Sequence, residues 1–88
     1  MVEKIVTIKN RAGLHTRPAA GLVKLAAQFR SEIFLERDGF AINAKSIIGV
    51  MTLAAEQGSK LTLQAKGIDE EDAVKKIGEY FESGFGEL

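Results

Sequence analysis

The stretch AGLHTRPAA, residues 12–20, contains the only histidine and the only proline of an 88-residue chain. An imidazole is nucleophilic when neutral, and its unperturbed titration range lies close to physiological pH. The guanidinium of Arg17, two residues after His15, is suited to binding an anionic group through charge-assisted hydrogen bonds. These residue types at this spacing predict an exposed nucleophile beside a site for the negative charge that it acquires.

A helix is predicted to position these groups. Apolar residues recur at helical spacing after Gly13 and predict a helix over residues 16–29: Ala19, Leu22, Val23, Ala26 and Phe29. The first backbone N–H groups of a helix lack intrahelical partners, and Pro18 is tolerated in the first turn because it has no N–H to lose. The positive end of the helix dipole favours a neutral ring at His15. A phosphoryl group on that ring would meet the free N–H groups around Thr16 and the Arg17 guanidinium.

The position of His15 does not by itself decide its role. A lone histidine near the start of a helix is more often a cap or a surface residue than a nucleophile. From residue types and spacing alone, both interpretations stay open.

The remaining patterns predict the element order β-α-β-β-α-β-α in one domain, residues 1–88. Alternating residues predict strands over 2–10 and 60–66, and Asp38-Gly39 between two apolar runs predicts a hairpin. A short helix is expected after Ser46 and a long one after Asp69. One-sided helices and alternating strands together predict an α+β fold, in which helices cover one face of a mainly antiparallel sheet and water meets the other.

Composition excludes several classes of function. Twelve basic and twelve acidic residues cancel, so no basic field favours nucleic acid. With no cysteine and one histidine, neither a thiolate nor a histidine-rich metal site can form, and we expect no metal and no cofactor. No apolar run approaches the roughly 20 residues of a membrane span. We therefore expect a cytoplasmic protein that does not insert into membranes.

The segment KSIIGVMTL, residues 45–53, allows two interpretations. Ser46 is a favoured N-cap residue, which is its default structural role. The apolar residues after it are either core or a partly exposed patch, since a short helix cannot bury all its sides: Ile47, Ile48, Gly49 and Met51.

The motifs GLHTRP and KSIIGVMTL resemble the two signatures of the HPr family, the histidine-containing phosphocarriers of the bacterial phosphoenolpyruvate-dependent sugar phosphotransferase system. Both lie at the family's spacing in a chain of the family's length. The resemblance implies an open-faced β-sandwich of four antiparallel strands under three helices. It also implies a carrier that is a substrate of phosphotransferases and not an enzyme.

Carried onto this chain, the resemblance implies that His15 accepts a phosphoryl group on Nδ1 from phosphorylated Enzyme I and passes it to Enzyme IIA domains. Arg17 matches the arginine that assists transfer. Ser46 matches the serine that HPr kinase/phosphorylase modifies, which in some bacteria recruits a catabolite-control transcription factor. Partial exposure of the patch at 47–51 would suit docking of these partners, and we expect a monomer.

Two points qualify the resemblance. Many members carry a hydroxyl side chain where this chain has Ala12, so we expect no hydroxyl contribution to the phosphate site there. A regulatory or nitrogen-branch paralogue that acts mainly by binding partner proteins is the alternative function. His15 discriminates between them, because a purely regulatory protein has no need of a nucleophile.

Overall fold

The computed structural model describes residues 1–88, which form a four-stranded sheet and three helices. In chain order the elements are β1 (Val2–Thr7), α1 (Thr16–Ala26), β2 (Glu32–Arg37), β3 (Phe40–Asn43), α2 (Ile47–Thr52), β4 (Lys60–Lys66), α3 (Glu70–Glu82) and a 3₁₀ turn (Gly84–Gly86). The α+β prediction and its element order are confirmed, and the 3₁₀ turn is an additional element that was not predicted.

The sheet has the strand order β1-β4-β2-β3, and every neighbouring pair is antiparallel. Along β4, Leu61, Leu63 and Ala65 are buried while the residues between them are partly exposed, as alternation predicts. The side chains of the opposite face meet water, and Ile5 there is 61% exposed. This is the open-faced arrangement, with the core between the sheet and the helices.

Local chemistry explains the elements that were predicted well. Asp38 and Gly39 have φ values of 52° and 81°, and a tight hairpin turn of this kind needs positive φ at both central residues. In α3 the predicted apolar stripe is buried against the sheet: Ala73, Val74, Ile77 and Phe81. None of the helices combines the length and the apolar character needed to cross a membrane.

Two predicted boundaries are wrong. The first helix ends at Ala26, although Phe29 remains in the core. After Ala26 the helix tightens into turns, because the N–H groups of Gln28 and Phe29 donate to the carbonyl oxygens three residues back, at 3.0 and 3.2 Å. The Asp69 carboxylate then accepts hydrogen bonds from the backbone N–H groups of Arg30 and Ser31, both at 2.9 Å, which fixes the entry into β2. The first strand ends at Thr7, where its pairing with β4 stops, so Asn10 lies in the loop that leads to α1.

Candidate functional site

A loop between β1 and α1 sets the position of His15. Gly13 has a φ of +74°, and a Cβ there would lie 2.7 Å from the carbonyl oxygen of Ala55, so glycine is required on both grounds. The next residue, Leu14, donates its N–H to the same oxygen at 2.9 Å. The loop is therefore pressed against the segment that follows α2, and His15 emerges with extended backbone as the residue before α1.

The start of α1 is open to an anion. No side chain caps this end of the helix, and its first turn contains no acidic residue. Thr16 and Arg17 are exposed, and their N–H groups have no intrahelical partner because they lie in the first turn. Pro18, buried at the third helical position, has no N–H to satisfy. Residues 15–18 thus lie at an uncapped helix start, as predicted, and their role in binding a phosphoryl group stays a prediction.

Glu87 contacts the histidine ring, and this contact was not predicted. Its two carboxylate oxygens lie 3.0 and 3.1 Å from Nε2 of His15. The pKa of the Glu87 carboxyl is held below its usual value, chiefly by the hydrogen bond with His15 and next by that with Asn10. An ionised carboxylate only accepts hydrogen bonds, so Nε2 carries the hydrogen. In the neutral ring the free lone pair is then on Nδ1.

The segment 84–88 is folded back so that Glu87 reaches the ring. Phe85 is 7% exposed, and its ring packs edge-on against those of Tyr80 and Phe81, each with centroids 5.1 Å apart. Positive φ values at 84, 85 and 86 turn the chain sharply there. The pKa of the Tyr80 hydroxyl is raised, first by burial and then by the nearby Glu87 charge.

Arg17 is close to this pair without being tied to it. Its Nε lies 4.0 Å from a Glu87 oxygen, beyond hydrogen-bond distance, and its side chain is 82% exposed. The His15 side chain is 34% exposed and lies on an open surface with no cavity. The structure has no group of three histidine, cysteine or carboxylate side chains arranged to hold a metal ion. The surface therefore presents an accessible imidazole beside an exposed guanidinium that makes no hydrogen bond.

The helix α2 presents the predicted apolar residues beside α1, with which it is in contact. Ile48 is 76% exposed, and Ile47 and Met51 are about half as exposed as that, at 40% and 39%. Gly49 is half-buried because α2 approaches β3 there: a Cβ on Gly49 would lie 3.4 Å from the carbonyl oxygen of Asn43. The Ser46 hydroxyl accepts the N–H of Gly49 at 3.1 Å, which makes it the N-cap of α2.

Comparison with known proteins decides the family. The family model described as the PTS HPr component phosphorylation site matches residues 2–83. The chain belongs to the HPr family. The resemblance of the two motifs to this family of phosphocarriers is therefore confirmed across nearly the whole chain.

Three HPr-family relatives illustrate the match. The phosphocarrier protein HPr of Treponema pallidum is 49% identical, over 99% of each chain. The crystal structure of HPr-C-His from Thermoanaerobacter tengcongensis is 48% identical, with a TM-score of 0.96 over 100% of this chain and 99% of that one.

The HPr-like protein Crh of Bacillus subtilis is the third relative. It is 46% identical over 91% of this chain and 94% of its own. A crystal structure of Crh, described as an intertwined dimer with a swapping domain, has a TM-score of 0.77 and 44% identity over 96% and 97% of the two chains.

Proposed function

We propose that this HPr-family protein accepts a phosphoryl group on Nδ1 of His15 from phosphorylated Enzyme I and donates it to Enzyme IIA domains. The observation that supports this best is the carboxylate of Glu87 on Nε2, at 3.0 and 3.1 Å. It directs the lone pair of the neutral ring to Nδ1, at the uncapped start of α1.

Phosphoryl transfer to His15 requires no proton to enter or leave the ring. The Nδ1 lone pair attacks phosphorus, the bond from phosphorus to the donor atom of Enzyme I breaks, and the electron pair of that bond stays on the donor. The ring keeps its hydrogen on Nε2 and becomes cationic, and the Glu87 carboxylate neutralises that charge. The free N–H groups around Thr16 and the Arg17 guanidinium stabilise the phosphoryl oxygens.

The same groups support the return step. When the phosphoryl group leaves, the ring with its hydrogen on Nε2 departs as a neutral imidazole, which is a good leaving group. The phosphorylated carrier is therefore ready to donate to an acceptor. Because the site is an open surface and not a cavity, an incoming active site can enclose the phosphohistidine. Water is then excluded by the partner protein and not by the carrier.

The exposed residues of α2 provide a docking surface next to the nucleophile. Ile47, Ile48 and Met51 form an apolar patch, and such patches on small soluble proteins commonly mark interaction sites. Methionine adapts to differently shaped partners, which suits a carrier that must dock on both a donor and several acceptors. Gly49 contributes by letting α2 lie close to β3. We propose that the carrier works in the cytoplasm as a monomer.

Ser46 is proposed as a regulatory site at the edge of this patch. Phosphorylation by HPr kinase/phosphorylase would add about −1.5 to −2 charges at pH 7. That dianion would have to be desolvated when an apolar partner surface docks, so it should weaken docking more than folding. The same phosphate could present a charged contact to a catabolite-control transcription factor. This role is tested by measuring the transfer rate from Enzyme I against carrier concentration, where Ser46→Asp should raise the concentration needed for half-maximal transfer. If wild type and Ser46→Asp give the same dependence on concentration, Ser46 is a helix cap only.

The proposed function is tested by incubating the protein with phosphoenolpyruvate and Enzyme I, followed by mass spectrometry. We expect one added phosphoryl group, stable in base and labile in acid, that is lost on addition of an Enzyme IIA domain. His15→Ala should not be labelled. Labelling that persists in His15→Ala would overturn the proposal.

The match to Crh supports a second candidate, a regulatory or nitrogen-branch paralogue that acts by binding partners. This candidate predicts that loss of the His15 nucleophile leaves partner binding intact. Unlabelled wild-type protein with normal binding to a partner through α2 would favour it. Size-exclusion chromatography with light scattering distinguishes the proposed monomer from a dimer.

A further inference from the structure

Asn10 occupies an unusual position beside the site. It lies in the loop after β1 and is 1% exposed. Its Nδ2 donates one hydrogen bond to the Gly13 carbonyl oxygen and another to Oε1 of Glu87, both at 2.8 Å. Since both partners accept hydrogen bonds, the orientation of the amide is determined and both of its hydrogens are used.

The amide oxygen of Asn10, in contrast, makes no hydrogen bond. Oδ1 of Asn10 is buried and has no hydrogen-bond partner within the protein. A buried acceptor without a partner costs free energy, which the two hydrogen bonds of Nδ2 must offset. A carboxylate at this position would provide no donor and would repel Glu87. The environment therefore suits a side chain that donates to Gly13 and to Glu87 together.

The His15 ring and the Arg17 guanidinium compete for the Glu87 carboxylate. Its Oε1 is shared between Asn10 and Nε2 of His15, and its Oε2 lies 3.0 Å from Nε2 but 4.0 Å from Nε of Arg17. Arg17 attracts the carboxylate more strongly than the neutral His15 ring does, because a guanidinium is permanently charged and can bind a carboxylate through two hydrogen bonds. A carboxylate freed from Asn10 would turn toward Arg17.

We propose that Asn10 is a positioning residue that keeps Glu87 on Nε2 of His15 and away from Arg17. This inference rests on the proposed phosphocarrier function and extends it. By holding Oε1, Asn10 keeps the hydrogen of the neutral ring on Nε2 and leaves the Arg17 guanidinium free for the phosphoryl oxygens. Asn10 itself touches neither the phosphoryl group nor Nδ1.

Two readouts test the role of Asn10. The ¹⁵N shifts of the His15 ring, recorded at high pH in the unphosphorylated protein, report which nitrogen carries the hydrogen. The rate of phosphoryl transfer from Enzyme I reports on the reaction. For Asn10→Ala we expect a smaller fraction of the Nε2–H form and transfer slowed by roughly twofold to tenfold, the scale of one hydrogen bond. Asn10→Asp, which places a like charge beside Glu87, should have the larger effect.

A double-mutant comparison distinguishes positioning from a general structural effect. If Asn10 acts through Glu87, Asn10→Ala should change neither readout further in a Glu87→Gln background. Gln57→Ala is the matched control. The side-chain amide of Gln57 donates to the Lys9 carbonyl oxygen at 3.2 Å, so it holds the same loop without contacting Glu87. This variant should leave the ring shifts unchanged.

The outcomes separate this inference from the proposed function. Wild-type protein that is not phosphorylated on His15 would overturn the proposed function. A phosphorylated wild type with ring shifts and transfer rate unchanged in Asn10→Ala would overturn only the role of Asn10. Should the variants at position 10 fail to fold, Glu87→Gln still decides: the side-chain amide resonances of Asn10 must shift, and unchanged resonances would contradict the inference.

Discussion

Glu87 and His15 are 72 residues apart in the chain, yet both carboxylate oxygens of Glu87 lie within 3.1 Å of one ring nitrogen. The contact depends on the 3₁₀ turn that folds the segment 84–88 back over α3, and Phe85 anchors that turn. The electrostatic environment of the His15 ring therefore depends on an aromatic cluster outside the site.

Phe85→Ala should release this segment. We expect a loss of about 3–5 kcal/mol in the free energy of unfolding, because a buried ring and its edge-on contacts are removed. The ¹⁵N shifts of the His15 ring should also change, because Glu87 leaves Nε2. Urea unfolding and NMR check the two effects. Phe40→Ala is the matched control, since Phe40 is 57% exposed; an equal loss of stability in both variants would show that Phe85 is not an anchor.

Gly13→Ala should displace the loop that positions His15. Alanine at positive φ costs about 1–2 kcal/mol, and here its Cβ would also lie 2.7 Å from the Ala55 carbonyl oxygen. Gly39→Ala is the control, because Gly39 has a similar φ of +81° with no atom within 4 Å of the added Cβ. We expect Gly13→Ala to be the more destabilising in urea unfolding. Equal losses would mean that the loop moves aside without cost.

Ile48→Glu should weaken docking to Enzyme I. A carboxylate in the centre of an apolar contact must be desolvated, so we expect the dissociation constant to rise about tenfold or more, as at interface hot spots. Calorimetric titration measures this. Ile68→Glu is the matched control, since Ile68 is 86% exposed and lies just before α3. Affinities reduced equally in both variants would contradict the assignment of the docking surface to α2.

Asp69 should make the stability of the fold depend on acid pH. Its pKa is lowered from 3.8 to about 2, first by the Ser31 hydroxyl and then by the Arg30 backbone N–H. A lowered folded-state pKa stabilises the protein above the ordinary value, and that contribution is lost as the pH falls from 3.8 toward about 2. Asp69→Asn should therefore be less stable than wild type above pH 3.8, and the difference in the free energy of unfolding should shrink as the pH falls toward about 2. Asp38→Asn, at a 94% exposed side chain, is the control, and a gap that does not depend on pH would contradict this role.

Much of the fold could be predicted because its signals are local. The Asp38-Gly39 turn, the alternation in β4 and the apolar stripe of α3 each depend on residues adjacent in the chain. The path of the chain between α1 and β2 could not be predicted, because Arg30 is held there by Asp69, 39 residues further on.

The site was predicted in part for the same reason. His15, Thr16, Arg17 and Pro18 are neighbours in sequence, and the helix that they begin is visible in the apolar spacing. Glu87 and Asn10 were missed, since only the folded chain brings them to the ring. The weak signal was the GFG segment at 84–86, a turn composition directly after a helix. It indicates a change of direction and not what the following residue contacts.

The most direct test of the central claim is to identify the ring nitrogen that carries the phosphoryl group. Protein with ¹⁵N-labelled histidine is phosphorylated with phosphoenolpyruvate and Enzyme I, and the ¹⁵N spectrum is recorded before hydrolysis. Because Glu87 keeps the hydrogen on Nε2, we expect the phosphorus coupling on Nδ1 of His15 and the remaining hydrogen on Nε2. Phosphorus coupled to Nε2, or no coupling to the ring at all, would contradict the account.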